Sequence, residues 1–220
     1  MPFVVAIDGP AGAGKGTITQ ILAQRLGLVN IDTGATYRCV ALATLREGIK
    51  LEEQEKIINL TKKIQIQMDE KQQIYLNGEN VTRQIREKEV SQIVSQVSSI
   101  KEVRYKMVEL QRKMAEGKNV IMEGRDIGTY VFPKADVKIY LDATLEERVK
   151  RRYKEMQEKG VIITKSEIEE NIKIRDYNDT HKEIGALKIA EDAIVVDTTG
   201  QSINQVVEKI EKIIEKNITL

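Results

Sequence analysis

The stretch IDGPAGAGKGT, residues Ile7 to Thr17, sets four glycines around a single lysine. Each glycine loses more backbone entropy on folding than an alanine would, so the run must do something with its bare backbone. Gly9-xxxx-Gly14-Lys15 follows a strand-like apolar run and opens a helix-like one, which is the context of a P-loop. There, consecutive N–H groups turn inward around an anion, the helix N-terminus adds partial positive charge, and Lys15 reaches the outer phosphates of a nucleotide. The residues expected to cradle ATP are Gly9, Pro10, Ala11, Gly12, Ala13, Gly14, Lys15, Gly16 and Thr17. Gly16 occupies the usual Ser/Thr position and the hydroxyl comes one residue later, at Thr17. A Mg²⁺ ion accompanying the phosphates is therefore expected to be held mostly through water and phosphate oxygens.

Two further clusters fall just after strand-like runs. They are Asp32-Thr-Gly-Ala-Thr-Tyr-Arg38 and Glu123-Gly-Arg-Asp126. In a doubly wound sheet both lie at the carboxyl edge beside the phosphate loop, where ligands bind. Arginines and carboxylates thus converge on one crevice, with Asp32 and Glu123 flanking it as possible neighbours of the metal alongside Thr17. No Asn-Lys-x-Asp guanine-reading sequence is present, which lowers the GTPase reading.

The elements that must carry these residues are legible as alternation. Short apolar runs at Phe3 to Ile7, Leu28 to Ile31, Asn119 to Met122, Val137 to Leu141 and Ala193 to Val196 read as strands buried on both faces, separated by helical spacing. This predicts an α/β fold with a parallel sheet. Capping boxes are expected at Thr144–Glu147, Ser166–Glu169 and Ser202–Gln205, and the last helix carries the stripe Ile203, Val206, Val207, Ile210, Ile213 and Ile214. Residues 64–81 break the pattern: apolar and polar residues alternate, and Asn77-Gly78 signals a hairpin, so a small antiparallel insertion is expected. The charged stretch Glu146 to Gly160 reads equally as a mobile flap or a solvated helix.

Composition bounds the remaining classes. With 220 residues and 41% hydrophobic content the chain can bury one sizeable core with small appended lobes. Lysine plus arginine (35) balances aspartate plus glutamate (34), so no global basic field invites nucleic acid. A single cysteine, Cys39, excludes an internal disulfide and fits a reducing compartment, with the residue expected to serve packing. No apolar run reaches membrane-spanning length and no basic, signal-type segment leads the chain, so a cytoplasmic protein is expected.

Taken together, GPAGAGKGT, DTGATYR, SQVSS with VR downstream, EGRDIGTYVFP, VKIYLDA and IKIRDYND resemble bacterial cytidylate kinases, nucleoside monophosphate kinases of the P-loop class, in the same order over nearly the whole chain. The resemblance implies a single P-loop kinase domain over residues 1–220 with a five-stranded parallel core. It also implies an acceptor lobe at 33–104 that includes the 64–81 insertion, and a helical lid at 146–182. The implied activity is transfer of the ATP γ-phosphoryl group to CMP or dCMP with Mg²⁺, by a cytoplasmic monomer that engages neither nucleic acid nor membrane. Carried over, Lys15, Arg38, Arg125 and Arg175 are the expected catalytic residues. Thr33, Arg38 and Arg125 would clamp the acceptor phosphate, Ser95, Arg104 and Asp126 would read cytosine, and Arg175 with Asp179 would hold the sugar. The stretch RDYNDTHKE departs from the family by carrying Asn178, Thr180 and Lys182 where arginines are common, and a lysine lacks the bidentate fork. Arg148, Arg151 and Arg152 are then lid candidates, or an ordinary charged helix face.

Plainer readings stand beside these. Asp8 and Asp142 end strands and read as turn or cap residues, and His181 lies in a charged stretch and reads as solvent-facing. The rival functions are a kinase for UMP, AMP or a hydroxylated metabolite, a silent ATP-binding module, and a P-loop switch. The switch needs one nucleotide site where this chain furnishes residues for two.

Overall fold

Alternation of buried runs with amphipathic stretches produces a doubly wound α/β fold. A computed structural model describes residues 2–69, 71–158 and 160–217. Met1, Glu70, Lys159 and residues 218–220, which fall within the whole-chain, insertion and charged-helix expectations, lie outside the described residues. In chain order the elements are β1 (Val4–Asp8), α1 (Lys15–Leu26), β2 (Val29–Asp32), α2 (Thr33–Arg46), α3 (Gln54–Lys63), β3 (Ile66–Met68), β4 (Ile74–Leu76), β5 (Glu79–Asn80), α4 (Lys88–Val97), α5 (Lys101–Ala115), β6 (Val120–Gly124), β7 (Val137–Asp142), α6 (Leu145–Glu158), α7 (Lys165–Thr180), β8 (Ile194–Asp197) and α8 (Ile203–Asn217).

The main sheet runs β2-β6-β1-β7-β8, every pairing parallel, with Val5 of β1 opposite both Ile121 and Val137. From central β1 the chain first moves out to β2, returns through β6, and then crosses to β7 and β8 on the other side. The loops after β1 and β6 therefore part at their carboxyl ends and leave a crevice, the switch point of such a sheet. Strand alternation divides the core into two layers. Val5, Ile7, Ile121 and Ile139 pack with Ile18 and Leu22 of α1 and Val207 and Ile210 of α8, while Ala6, Val120 and Met122 face Val108 of α5 on the opposite side. A separate apolar cluster joins α2 and α4 to Val103 and Met107 of α5 and to the small sheet.

The insertion forms as an antiparallel sheet of three strands, β3-β4-β5. Asn77 (φ 51°) and Gly78 (φ 84°) both take left-handed conformations between β4 and β5, the geometry a two-residue hairpin loop demands. Cys39 is fully buried within α2, and burial pushes its thiol up to about 12, in keeping with a packing role.

Three local expectations need correction. The box that opens α7 lies two residues upstream of Ser166–Glu169: Thr164 N–H donates to Glu167 Oε2 at 2.8 Å and Glu167 N–H returns to Thr164 Oγ1 at 3.2 Å. Ile163, just before the cap, packs against the apolar cluster that contains Ile168 one turn on, the arrangement of a hydrophobic staple, which favours the earlier start. At Thr144 only half a box forms, because the Glu147 carboxylate is taken by Arg151 Nε at 3.1 Å. Finally, β8 is not buried on both faces. Val196 is buried but Ile194 and Val195 are exposed, because an edge strand is flanked by a neighbour on one side only. Ile203 at the start of α8 is exposed too, ahead of the point where the helix reaches the sheet.

Among the described residues no helix is long and apolar enough to cross a membrane. Leu22 couples α1, and with it the phosphate loop, to the sheet. Replacing it with alanine is expected to cost about 3 kcal/mol of unfolding free energy in a urea melt, through lost transfer energy and the cavity left behind.

Candidate active site

Gly9 leaves β1 at φ +151°, where a Cβ would run into the carbonyl oxygen of Leu141 in the neighbouring strand. Only glycine lets the chain turn there, so the loop is rooted against β7. At its far end Gly14 caps α1, and Lys15 is the helix's first residue. The buried Lys15 ammonium donates to Gly9 O at 2.7 Å and Pro10 O at 2.8 Å, which holds it in the mouth of its own loop. Burial, and next the charge of Arg125, lowers Lys15 to about 7.

The loop is buttressed from behind by α6 and α7. Arg148 Nη1 donates to Ala11 O at 2.9 Å and to Asp176 Oδ2 at 2.5 Å, and Asp176 Oδ1 accepts from Ala11 N–H at 3.3 Å. Arg151 Nη1 donates to Thr198 Oγ1 at 2.9 Å and reaches Ala13 O at 3.4 Å. The structure therefore sets Arg148 and Arg151 against the loop's outward carbonyls, not on a free helix face. Arg152 pairs with Glu155 at 2.6 Å, and its charge bears on Arg38 and Arg175.

Across the crevice, α2, the loop after β6, and α7 bring cations together. Arg38 Nη1 donates to Ile85 O at 3.0 Å and Ser91 Oγ at 2.9 Å. Arg125 Nε donates to Asp179 Oδ2 at 2.7 Å, and Lys182 Nζ donates to Asp179 Oδ1 at 2.8 Å. Burial works against charge on Asp179, but Arg125 and Lys182 outweigh it and hold the carboxyl well below the usual range. Arg175 is half-buried and has no hydrogen-bond or ion-pair partner among the described residues. Burial and the charges of Arg125 and Arg38 lower it to about 10. An anion placed among these guanidinium groups would relieve their mutual repulsion.

Asp32 and Glu123 stand next to this cluster. Burial, then repulsion from Asp32, raises Glu123 to about 7. Two like-charged carboxylates beside a phosphate loop form a hard-oxygen donor set that suits Mg²⁺. Glu123 Oε1 would lie 3.2 Å from a Cβ added at Gly16, so it borders the start of α1, whereas Thr17 is exposed on that first turn. Thr33 also reaches the crevice, with its hydroxyl donating to Glu123 O at 2.7 Å.

A buried ion pair joins α5 to the loop after β6: Arg104 Nη2 and Asp126 Oδ2. The Arg104 guanidinium lies 5.3 Å from the Tyr37 ring centroid, and its Nη1 donates to Ser98 O at 3.3 Å. Arg104 Nε and Ser95 Oγ are buried without a hydrogen-bond partner among the described residues, a costly state unless something polar meets them. Gly185, in the loop after α7, lies so close that a Cβ there would collide with both Arg104 and Asp126.

Sequence reading alone did not find Asp176, Arg86 or Gly185. Arg86 Nη2 lies 3.2 Å from Asp32 Oδ2, a pairing separated by 54 residues. Asp176 carried one usable signal, its place in RDYND beside Arg175, whereas Gly185 carried none.

Comparison with known proteins agrees with this geometry. The sequence profile of the family described as Cytidylate kinase matches residues 5–216. A cytidylate kinase of Leuconostoc mesenteroides is 50% identical over 220 residues, covering 99% of this chain and 98% of its own length. One from Caldicellulosiruptor bescii is 48% identical over 209 residues, covering 94% and 92%. Among solved structures, a gluconokinase from Sinorhizobium meliloti superposes with a TM-score of 0.52 at 11% identity, covering 98% of this chain and 93% of its own, a likeness of fold alone.

An anion bound in the loop would raise both Lys15 and Glu123 from about 7, so binding of sulfate, a phosphate mimic that does not itself titrate near neutrality, should take up protons just above neutral pH. Titration calorimetry with sulfate in buffers of different ionisation enthalpy reads this directly. Proton release would contradict the assignment.

Proposed function

The chain belongs to the cytidylate kinase family, and from that premise we propose that it transfers the γ-phosphoryl group of ATP to CMP or dCMP, yielding ADP and CDP or dCDP. The observation that carries this reading is the guanidinium cluster of Arg38, Arg125 and Arg175 facing Lys15 across one crevice. A second anion pocket beside a phosphate loop is what an acceptor phosphate requires and what a switch or a silent ATP-binding module has no use for.

Phosphoryl transfer passes through a loose transition state, so the protein's task is to align two anions and spread charge. An oxygen of the CMP phosphate bonds to the γ-phosphorus while the bond from that phosphorus to the β–γ bridging oxygen breaks. The acceptor oxygen is already ionised near neutrality, so no base is needed. Lys15 meets the charge left on the ADP phosphates. Arg38, Arg125 and Arg175 draw the acceptor phosphate inward against like-charge repulsion. Asp32 and Glu123 are the groups that would hold, through water, a Mg²⁺ ion brought in with ATP, and that ion would supply positive charge to the donor phosphates.

Cytosine presents an amino donor beside acceptors, which a carboxylate and a guanidinium together match. Uracil would leave the Asp126 carboxylate against a carbonyl, a mispairing of about 1–3 kcal/mol that gives roughly tenfold discrimination or better. Ser95 Oγ supplies a further polar contact, and Arg175 with Asp179 faces the sugar. In this reading residues 33–104 form the acceptor lobe and 146–182 the lid. The lid's own apolar cluster of Val149, Ile168 and Ile172 lets α6 and α7 move as a unit and exclude water.

A coupled ADP-release assay over CMP, dCMP, UMP, AMP and GMP is expected to show stimulation by the cytidine nucleotides first. No stimulation by any monophosphate would overturn the reading. Lys15→Ala should lower turnover by orders of magnitude while the fold stays intact by circular dichroism.

A further inference from the structure

Asp8, the last residue of β1, carries a buried carboxylate to which phosphate transfer gives no task. Its two oxygens reach across the sheet: Oδ1 accepts from Ile127 N–H and Oδ2 from Gly128 N–H, each at 2.8 Å. These are the first two amides of the helical turn Ile127–Val131 that begins immediately after Asp126. Asp126 itself has irregular backbone angles (φ −144°, ψ 24°), so no regular element sets the direction of its side chain. The turn also closes on Asp126 from the other end, because Tyr130 N–H and Val131 N–H donate to its carbonyl at 2.8 and 3.0 Å. Asp126 is thus gripped through the turn that follows it, and the group doing the gripping is Asp8. The next residue along the chain is Gly9, which roots the phosphate loop against Leu141.

We propose that Asp8 is a positioning residue for base selection: its two-pronged hold on the Ile127 and Gly128 amides orients Asp126 against Arg104 and keeps that pair in register with the phosphate loop. The proposal rests on the reading that Arg104 and Asp126 face the cytosine. A carboxylate suits this task because it alone offers two acceptor oxygens to two adjacent donors. Asp8→Asn keeps the shape but turns an amide nitrogen toward one of the two N–H groups, so one grip is lost and the turn can tilt.

Asp8→Asn is expected to raise KM for CMP and to lower the ratio of kcat/KM for CMP over UMP by roughly tenfold. A merely structural role, or one exerted only through Lys15 and the phosphate loop, would leave the CMP/UMP ratio unchanged, and that result would overturn the proposal. The wild-type control separates the two readings. A wild-type enzyme without preference for CMP refutes base reading by Arg104 and Asp126, and the Asp8 role with it. A wild-type preference that survives in the variant refutes Asp8 alone.

Should Asp8→Asn not fold, the wild-type protein supplies the test. Burial pushes the Asp8 carboxyl up to about 6, and the charged or titratable groups that face it are Asp126, Lys15 of α1, and Lys138 and Tyr140 of β7. Protonation weakens one acceptor, so the CMP/UMP ratio should fall as pH drops through this range, in step with the amide resonances of Ile127 and Gly128. The acceptor phosphate titrates alike in both substrates and cancels in the ratio. A ratio that stays flat, or that follows the carboxyl resonance of Asp126 instead of the two amides, would overturn the proposal.

Discussion

Burial lowers Lys15, Arg38 and Arg175, and the charge of neighbouring cations, Arg125 among them, lowers each further; nearby carboxylates offset this only in part. A protein sustains such crowding where the rest of the structure fixes the groups in place and where anions are to be met. The surrounding architecture follows from that constraint. Each cation comes from a different part of the fold, Lys15 from α1, Arg38 from α2, Arg125 from the loop after β6 and Arg175 from α7. Their convergence therefore depends on the strand order of the main sheet.

The phosphate loop is held in part from outside itself. The Ala11 and Ala13 carbonyls accept from Arg148 and Arg151, while Asp176 ties the Ala11 N–H and Arg148 together. Arginines that look on sequence like a charged helix face thus hold the loop from behind. The arrangement also links α6 and α7 mechanically to the loop, so movement of this helix pair and the shape of the phosphate site are coupled.

Polar burial is concentrated where recognition is needed. Arg104 and Asp126 are among the most buried charges in the protein, and their pairing under Tyr37 leaves Arg104 Nε and Ser95 Oγ unmet. Buried ion pairs contribute little net stability, since desolvation consumes most of the attraction. Their retention fits a recognition surface better than a stabilising one. The cost is carried by the two apolar layers on the sheet and the separate core beneath the small antiparallel sheet.

Short-range patterns in the chain determined the phosphate loop, the five core strands and the Asn77-Gly78 hairpin, because each depends on backbone preferences and periodicity within a few residues. The same locality explains the misplaced start of α7, where two overlapping Ser/Thr-x-x-Glu patterns compete and packing of Ile163 against the α6–α7 apolar cluster favours the first. Only the tertiary structure decided the long-range pairings. Asp8 meets amides 119 and 120 residues away, Ala11 meets Asp176 across 165, and Arg104 meets Asp126 across 22. Those partners are chosen by which loops the sheet order brings to one edge, and no spacing along the chain encodes that choice.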